Sequence, residues 1–125
     1  MKIEHIAIWV EDLEKIKAFY EQYFNVTSSE KYHNVKTQFE SYFLTLDGTC
    51  RIELIHKQHL SPRITDSLGY AHIALAVGDK ATVDAYAKRF VAAGIPLIDG
   101  PRTTGDGYYE AVIQDPEGNI VELTE

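Results

Sequence analysis

A stretch of this 125-residue chain occurs twice. His5-Ile6-Ala7-Ile8-Trp9-Val10 returns as His72-Ile73-Ala74-Leu75-Ala76-Val77. The match runs without a gap through Asp12 and Asp79 to Ala18 and Ala85, at a constant offset of 67 (72 minus 5). Ile52-Glu53-Leu54 is echoed by Val121-Glu122-Leu123 at an offset of 69 (122 minus 53). Such a repeat means a fold built from two copies of one supersecondary unit. A unit of roughly 60 residues buries proportionally little surface by itself, so the two copies are expected to share a core or to pair with another subunit.

Hydrophobic periodicity gives each half the order βαβββ. Residues 2–10 alternate so that Ile6, Ile8 and Val10 face away from His5, Ala7 and Trp9, which reads as a strand buried on both faces. Asp12 is the expected N-cap of a helix whose apolar face is Leu13, Ile16, Phe19, Tyr20, Tyr23 and Phe24. Strands are expected over 25–35, 37–47 and 49–57, with Asp47-Gly48 turning between the last two. A polar crossover with Pro62 fills 58–69. The order then repeats. A strand over 70–77 precedes a helix capped by Asp79, striped with Val83, Tyr86, Ala87, Phe90 and Val91, and ended by Gly94. Strands follow over 97–102, 108–114 and 119–124, joined by Gly105-Asp106-Gly107 and Asp115-Pro116-Glu117-Gly118. The expected fold class is α+β, in one domain over 1–125 with modules over 1–57 and 70–125.

The formal charge of −7 supplies no cationic footprint for nucleic acid or an anionic membrane, and no apolar run reaches membrane-spanning length. The N-terminus enters strand-like sequence without a signal-peptide pattern. With a single cysteine, Cys50, no intramolecular disulfide is available, so a cytoplasmic location is expected. Cys50 itself reads as a small strand hydrophobe rather than a reactive thiol.

Alternate side chains of a strand point to opposite faces. His5 and His72 therefore oppose the isoleucines that follow them, and Glu53 and Glu122 oppose the apolar residues on either side. A carboxylate within an apolar strand is costly unless solvated, paired or metal-bound. One dication cancels the charges of Glu53 and Glu122, and neutral His5 and His72 complete four ligands. Imidazole donors point to zinc, nickel or cobalt rather than calcium.

His5-Ile6-Ala7-Ile8, Ile52-Glu53-Leu54, Tyr70-Ala71-His72-Ile73-Ala74 and above all Asp115-Pro116-Glu117-Gly118-Asn119-Ile120-Val121-Glu122-Leu123 resemble the vicinal oxygen chelate superfamily, which includes glyoxalase I, methylmalonyl-CoA epimerase, fosfomycin-resistance proteins and extradiol dioxygenases. The resemblance covers nearly the whole chain. It implies paired βαβββ modules forming a cupped, partly closed mixed sheet around a metal held by His5, Glu53, His72 and Glu122. The order His, Glu, His, Glu is that of glyoxalase I. It implies a lyase or isomerase acting on a small carbonyl compound or its thiol adduct, with Glu122 and Glu53 carrying the proton of an enediolate-type transfer. The alternatives are an epimerase of another oxygen-bearing substrate and a non-catalytic small-molecule binding or resistance protein. Bacterial glyoxalase I enzymes place Arg where this chain has Trp9, so the resemblance carries the metal site more strongly than glutathione as substrate. A homodimer is expected from the family and from the open sheet edges.

Arg51, Arg63, Arg102 and Lys57 read as dispersed surface charges, with Arg51 singled out because it shares strand phase with Glu53. His33, His56 and His59 lack repeat partners and read as surface or hydrogen-bonding residues. Trp9, Phe39, Phe43, Tyr108 and Tyr109 are candidates for an aromatic pocket wall. The turn Thr103-Thr104-Gly105-Asp106-Gly107 reads as a hairpin connection or a substrate lid.

Overall fold

The structure is a computed structural model that describes residues 1–47 and 50–125, and it divides into two compact units, Met1–Arg63 and Ile64–Glu125. The first unit runs β1 (His5–Trp9), α1 (Leu13–Tyr23), β2 (Thr27–Ser28), β3 (Tyr32–Asn34), β4 (Phe39–Thr45) and β5 (Arg51–His56). The second runs β6 (Ile73–Ala76), α2 (Lys80–Ala92), β7 (Leu97–Thr103), β8 (Tyr109–Gln114) and β9 (Ile120–Thr124). Each unit has its own open mixed sheet: β1-β5-β4-β2 with β3 also on β4, and β6-β9-β8-β7. In each, the strand before the helix lies parallel to the last strand, β1 on β5 and β6 on β9, and the remaining pairings are antiparallel. The α+β class and the doubled βαβββ order are as the sequence predicts.

The helices form where capping and periodicity agree. The Asp12 carboxylate accepts from the Lys15 amide at 3.0 Å, and the Asp79 carboxylate from the Thr82 amide at 2.9 Å. Gly94, at φ 73°, follows α2 and donates to the Val91 carbonyl at 3.0 Å while Ile95 donates to Phe90 at 2.9 Å, the reciprocal pair that closes a helix over glycine. Ile16 and Tyr20 of α1, and Val83 and Phe90 of α2, are fully buried against Leu44 and Leu54 in one unit and Ile113, Val121 and Leu123 in the other.

Four expectations need correction. β1 is buried on one face only, because His5, Ala7 and Trp9 are all exposed. The strand expected over 25–35 is two short strands, because the register against β4 shifts by one residue between Ser28 and Tyr32, and Ser29 spans the interruption by donating its amide to the Phe43 carbonyl at 2.8 Å. The strand expected from residue 70 begins only at Ile73, so His72 stands just before β6. In the observed register its neighbour Ala71 would face Asn119, whose amide and carbonyl are already bonded to Asp115 in the β8–β9 turn, and the ladder stops there. Val91 is 56% exposed rather than part of the buried stripe. The predicted Asp47-Gly48 turn and the strand start at Thr49 lie outside the described residues.

β7 carries an irregularity between Asp99 and Arg102 that aims both of their side chains to the face away from α2. Gly100 makes it possible: φ is 76°, and a Cβ there would stand 2.4 Å from the Glu110 carbonyl oxygen. Gly100→Ala should therefore destabilise the protein by about 1–3 kcal/mol. Gly105→Ala, at an ordinary φ with open space around it, should stay within about 0.5 kcal/mol of the parent. Urea unfolding of the two variants checks this, and equal midpoints would show that β7 does not need glycine.

Candidate metal half-sites

With each helix covering one face of its sheet, strand alternation sends a defined set of side chains to the other face. In the first unit these are His5, Ala7 and Trp9 of β1, Arg51, Glu53 and Ile55 of β5, and Phe39, Ser41 and Phe43 of β4, as the pairings His5 with Arg51, Ala7 with Glu53 and Glu53 with Phe43 require. In the second unit Glu122 pairs with Ala74 and Val112, and Glu110 with Thr124 and Arg102, so Glu122, Glu110, Arg102 and Asp99 share one face.

His5 Nε2 lies 3.7 Å from a Glu53 carboxylate oxygen, and His72 Nε2 lies 3.5 Å from one of Glu122. The exposures match as well: 39% and 17% for the first pair of side chains, 44% and 19% for the second. Two donors about 2.0–2.2 Å from one tetrahedral ion are separated by about 3.4 Å. Each pair thus has the spacing of two ligands on a common cation, and the donor set of neutral imidazole and carboxylate suits a transition metal. Among the described residues no group of three or more His, Cys, Asp or Glu side chains is arranged to hold a metal ion. The structure brings the four predicted ligands together as two pairs, one in each unit.

Each pair has a supporting acidic residue that the repeat does not reveal. Glu4 accepts from His5 Nδ1 at 2.5 Å and pairs on its other oxygen with Arg51. The hydrogen bond from His5, and after it the Arg51 guanidinium, hold the Glu4 carboxyl below its ordinary value. With Nδ1 donating to this carboxylate, the Nε2 lone pair is directed to the Glu53 side, an arrangement that orients and strengthens a histidine ligand. Arg51 lies over the Phe43 ring at 4.2 Å, and His5 meets Phe43 edge-on at 5.5 Å. Glu4 was legible only through its adjacency to His5.

In the second unit Glu110 is buried, shares a face with Glu122, and lies 3.3 Å from Arg102, which Asp99 holds at 2.7 Å. Burial pushes the Glu110 carboxyl up, the Glu122 carboxylate adds to the rise, and Arg102 opposes it. A signal for Glu110 did exist. The Asp115 turn fixes the β8–β9 register, which puts Glu110 on the Glu122 face.

Other predicted positions divide by face. Trp9, Phe39 and Phe43 share the His5–Glu53 face, whereas Tyr109 faces α2 and donates its hydroxyl to Asp84 at 2.7 Å. A cavity of about 480 Å³ between α2 and β7, lined by Ala87, Val91, Leu97, Pro101 and Tyr109, lies on the side of the second sheet opposite Glu122. His56 bonds the Val10 carbonyl at 2.9 Å. Cys50 is free and half-buried.

The model of the glyoxalase/bleomycin resistance protein/dioxygenase superfamily matches residues 2–123. The chain belongs to this superfamily. Among solved structures, this superfamily member is similar to lactoylglutathione lyase from Agrobacterium tumefaciens, with 28% identity over 99% of this chain and 92% of that chain and a TM-score of 0.71. It is similar in fold to the trypanothione-dependent glyoxalase I of Leishmania major, at 22% identity, 100% and 86% coverage and a TM-score of 0.80. It also shares the fold of a mutant fosfomycin resistance protein from Listeria monocytogenes, complexed with Mn(II) and 1S,2S-dihydroxypropylphosphonic acid, at 23% identity, 98% and 90% coverage and a TM-score of 0.75. No curated protein matches the chain by sequence. No helix among the described residues is long and apolar enough to cross a membrane.

The raised Glu110 carboxyl gives the superfamily member a pH signature. A carboxyl whose folded value is raised stabilises the fold below its unfolded value, and that contribution is lost as pH rises through the folded value. In chelator-treated protein, Glu110→Gln should therefore gain stability relative to the parent as pH climbs above about 4.5, the ordinary glutamate value. Urea midpoints across pH measure it, and a constant difference would mean that Glu110 ionises as freely as in the unfolded chain.

Proposed function

We propose that the protein is a metal-dependent lyase or isomerase of the glyoxalase type, acting on a small carbonyl compound or its thiol adduct in the cytoplasm. The observation that carries this reading is the recurrence of one histidine–glutamate pair, at 3.7 and 3.5 Å, at repeat-related positions on the face opposite each helix. His5, Glu53, His72 and Glu122 would together hold one divalent ion, zinc, nickel or cobalt, with the four ligands drawn from one chain or from the two chains of a homodimer. The bound ion supplies Lewis-acid stabilisation of the oxyanion that develops when a proton leaves the carbon beside a carbonyl.

The residues divide the remaining work. Glu4 and Arg51 fix the tautomer and direction of His5. Glu53 and Glu122 sit beside the ligand positions of their histidines, where a carboxylate can take a proton from one carbon and return it to the next. Glu110 and Arg102 hold Glu122 from its other side. The likeness to a lactoylglutathione lyase at 28% identity supports this reaction class.

Protein purified without chelator and loaded with zinc, nickel or cobalt should bind one ion per four-ligand set. Combined His5→Ala and His72→Ala should abolish that binding. Elemental analysis checks both, and metal content unchanged in the double variant would refute the ligand assignment.

Glu53→Gln and Glu122→Gln keep a coordinating oxygen and remove the base. Turnover of methylglyoxal with a panel of low-molecular-weight thiols should fall at least about 100-fold in whichever variant has lost the proton carrier. Metal occupancy and solvent-deuterium incorporation, measured on the same samples, separate loss of the ion from loss of the base. If both variants keep their metal and near-parental turnover, the proton-transfer reading is wrong. A metal-replete parent that binds these compounds without turning any over belongs to the binding class.

A further inference from the structure

The open face of the first sheet changes character along its strands. At the His5 end it is charged: His5 and Arg51 are bonded to Glu4, and Glu53 lies 3.7 Å from His5. Two alternations along β1 and β5, about 13 Å away at strand rise, it is aromatic. Trp9 meets Phe39 edge-on at 6.3 Å, and Tyr32 meets the other side of Phe39 at 6.2 Å. Between the two ends, level with Glu53, the face carries Ala7 and the Phe43 ring, while Ser41 and Ile55 lie level with Trp9 and are buried. Trp9 and Tyr32 are about half exposed, at 47% and 54%.

Lys57 follows β5 in the same alternation as Arg51 and Glu53, and its ammonium stands 4.8 Å from the centre of the Trp9 ring. Elsewhere in the first unit Arg51 is paired with Glu4, Lys17 with Glu21, and Lys31 with Glu14 and Glu40. Lys57 has no carboxylate of the described residues in salt-bridge reach. Carboxylates are not scarce, since 19 acidic residues face 12 basic ones. An ammonium held over an indole keeps N–H donors for an outside acceptor, and the ring fixes where that acceptor must sit.

We propose that Trp9, Phe39, Tyr32 and Lys57 form a binding subsite for a flat apolar group that ends in an anion. The aromatic rings take the apolar body by stacking and edge contacts, and Lys57 takes the carboxylate or equivalent anion by a charge-assisted hydrogen bond. This inference rests on the reading of the same face as the reaction face. It narrows the substrate to a molecule that extends from the His5–Glu53 pair past Ala7 and Phe43 to an anionic aryl or similarly planar end.

Trp9 is the only tryptophan of the chain, so its emission reports on the subsite directly, with or without metal. The probes are 3-phenylpropanoate, 3-phenylpropan-1-ol and propanoate, titrated into the full-length protein with Trp9 excited where phenyl groups do not absorb, and repeated with chelator present. 3-Phenylpropanoate should perturb Trp9 saturably and bind about tenfold or more tightly than the alcohol, as a charge-assisted contact predicts, while propanoate gives no saturable change. Lys57→Met keeps the apolar stem and should erase the preference for the acid, leaving the alcohol unaffected. Phe39→Ala should weaken both aryl probes. Absence of saturable perturbation by either aryl probe, equal affinity for acid and alcohol, or a preference that survives Lys57→Met would each overturn the subsite. So would protection of Trp9 from acrylamide that disappears on dilution to monomer, which would mean that a second copy covers this face. Because the titration does not require metal, aryl binding that persists in protein with no metal-binding capacity keeps the subsite and removes the reaction, whereas metal binding without aryl binding does the reverse.

Discussion

A sheet covered by a single helix has two chemically different faces, and the period of two along every strand decides which residue goes to which. Burying Val121 and Leu123 under α2 obliges Glu122 to point away, and burying Ile52 and Leu54 under α1 does the same to Glu53. Each core side chain of this size contributes about 1.5–3 kcal/mol through removal from water. A register slip that turned a carboxylate inward would forfeit several such contributions and bury a charge as well. The packing of the hydrophobic faces is therefore what keeps the glutamates on the open face beside the histidines.

The two histidine–glutamate pairs are alike in residue type and differ in what supports them. The first orients its histidine: Glu4 ties Nδ1, and Arg51 ties Glu4. The residue before His72 is Ala71, which carries no side-chain acceptor. The second half-site instead presses on its glutamate, with Glu110 against Glu122 and Arg102 against Glu110. At the β4 position that corresponds to Glu110 the first unit has Ser41. Placing carboxylates beside one another in a buried setting raises the cost of charging them, so the two glutamate ligands stand in different electrostatic surroundings.

The duplicated pattern made most of this legible. Helix caps at Asp12 and Asp79, the alternation that separates Ile6 from His5, and the recurrence of a histidine and a glutamate in each half follow from residue type and period alone. What remained hidden depends on registers between strands distant in sequence. Glu4 lies outside any repeated position, and Glu110 becomes meaningful only once β8 and β9 are paired. The break at Ser29 comes from a one-residue shift against β4, and the late start of β6 from backbone groups that the Asp115 turn has already used. Arg102 and Lys57 read alike as surface charges in sequence, yet one is clasped by two carboxylates and the other stands over an indole with no carboxylate of the described residues in reach.

The placement of the histidines carries a further consequence for assembly. β1, which carries His5, and β6, which begins directly after His72, are the terminal strands of their sheets. Under the proposed assignment two donors per unit would bind a divalent ion more weakly than four, and the difference in binding free energy would be available to any arrangement that brings both pairs to one ion. By linkage, a metal that binds only the complete set stabilises that complete arrangement in proportion to the logarithm of its free concentration. A chain built of two small, individually marginal units thus has a physical means of making its most ordered state depend on the ion that its chemistry would require.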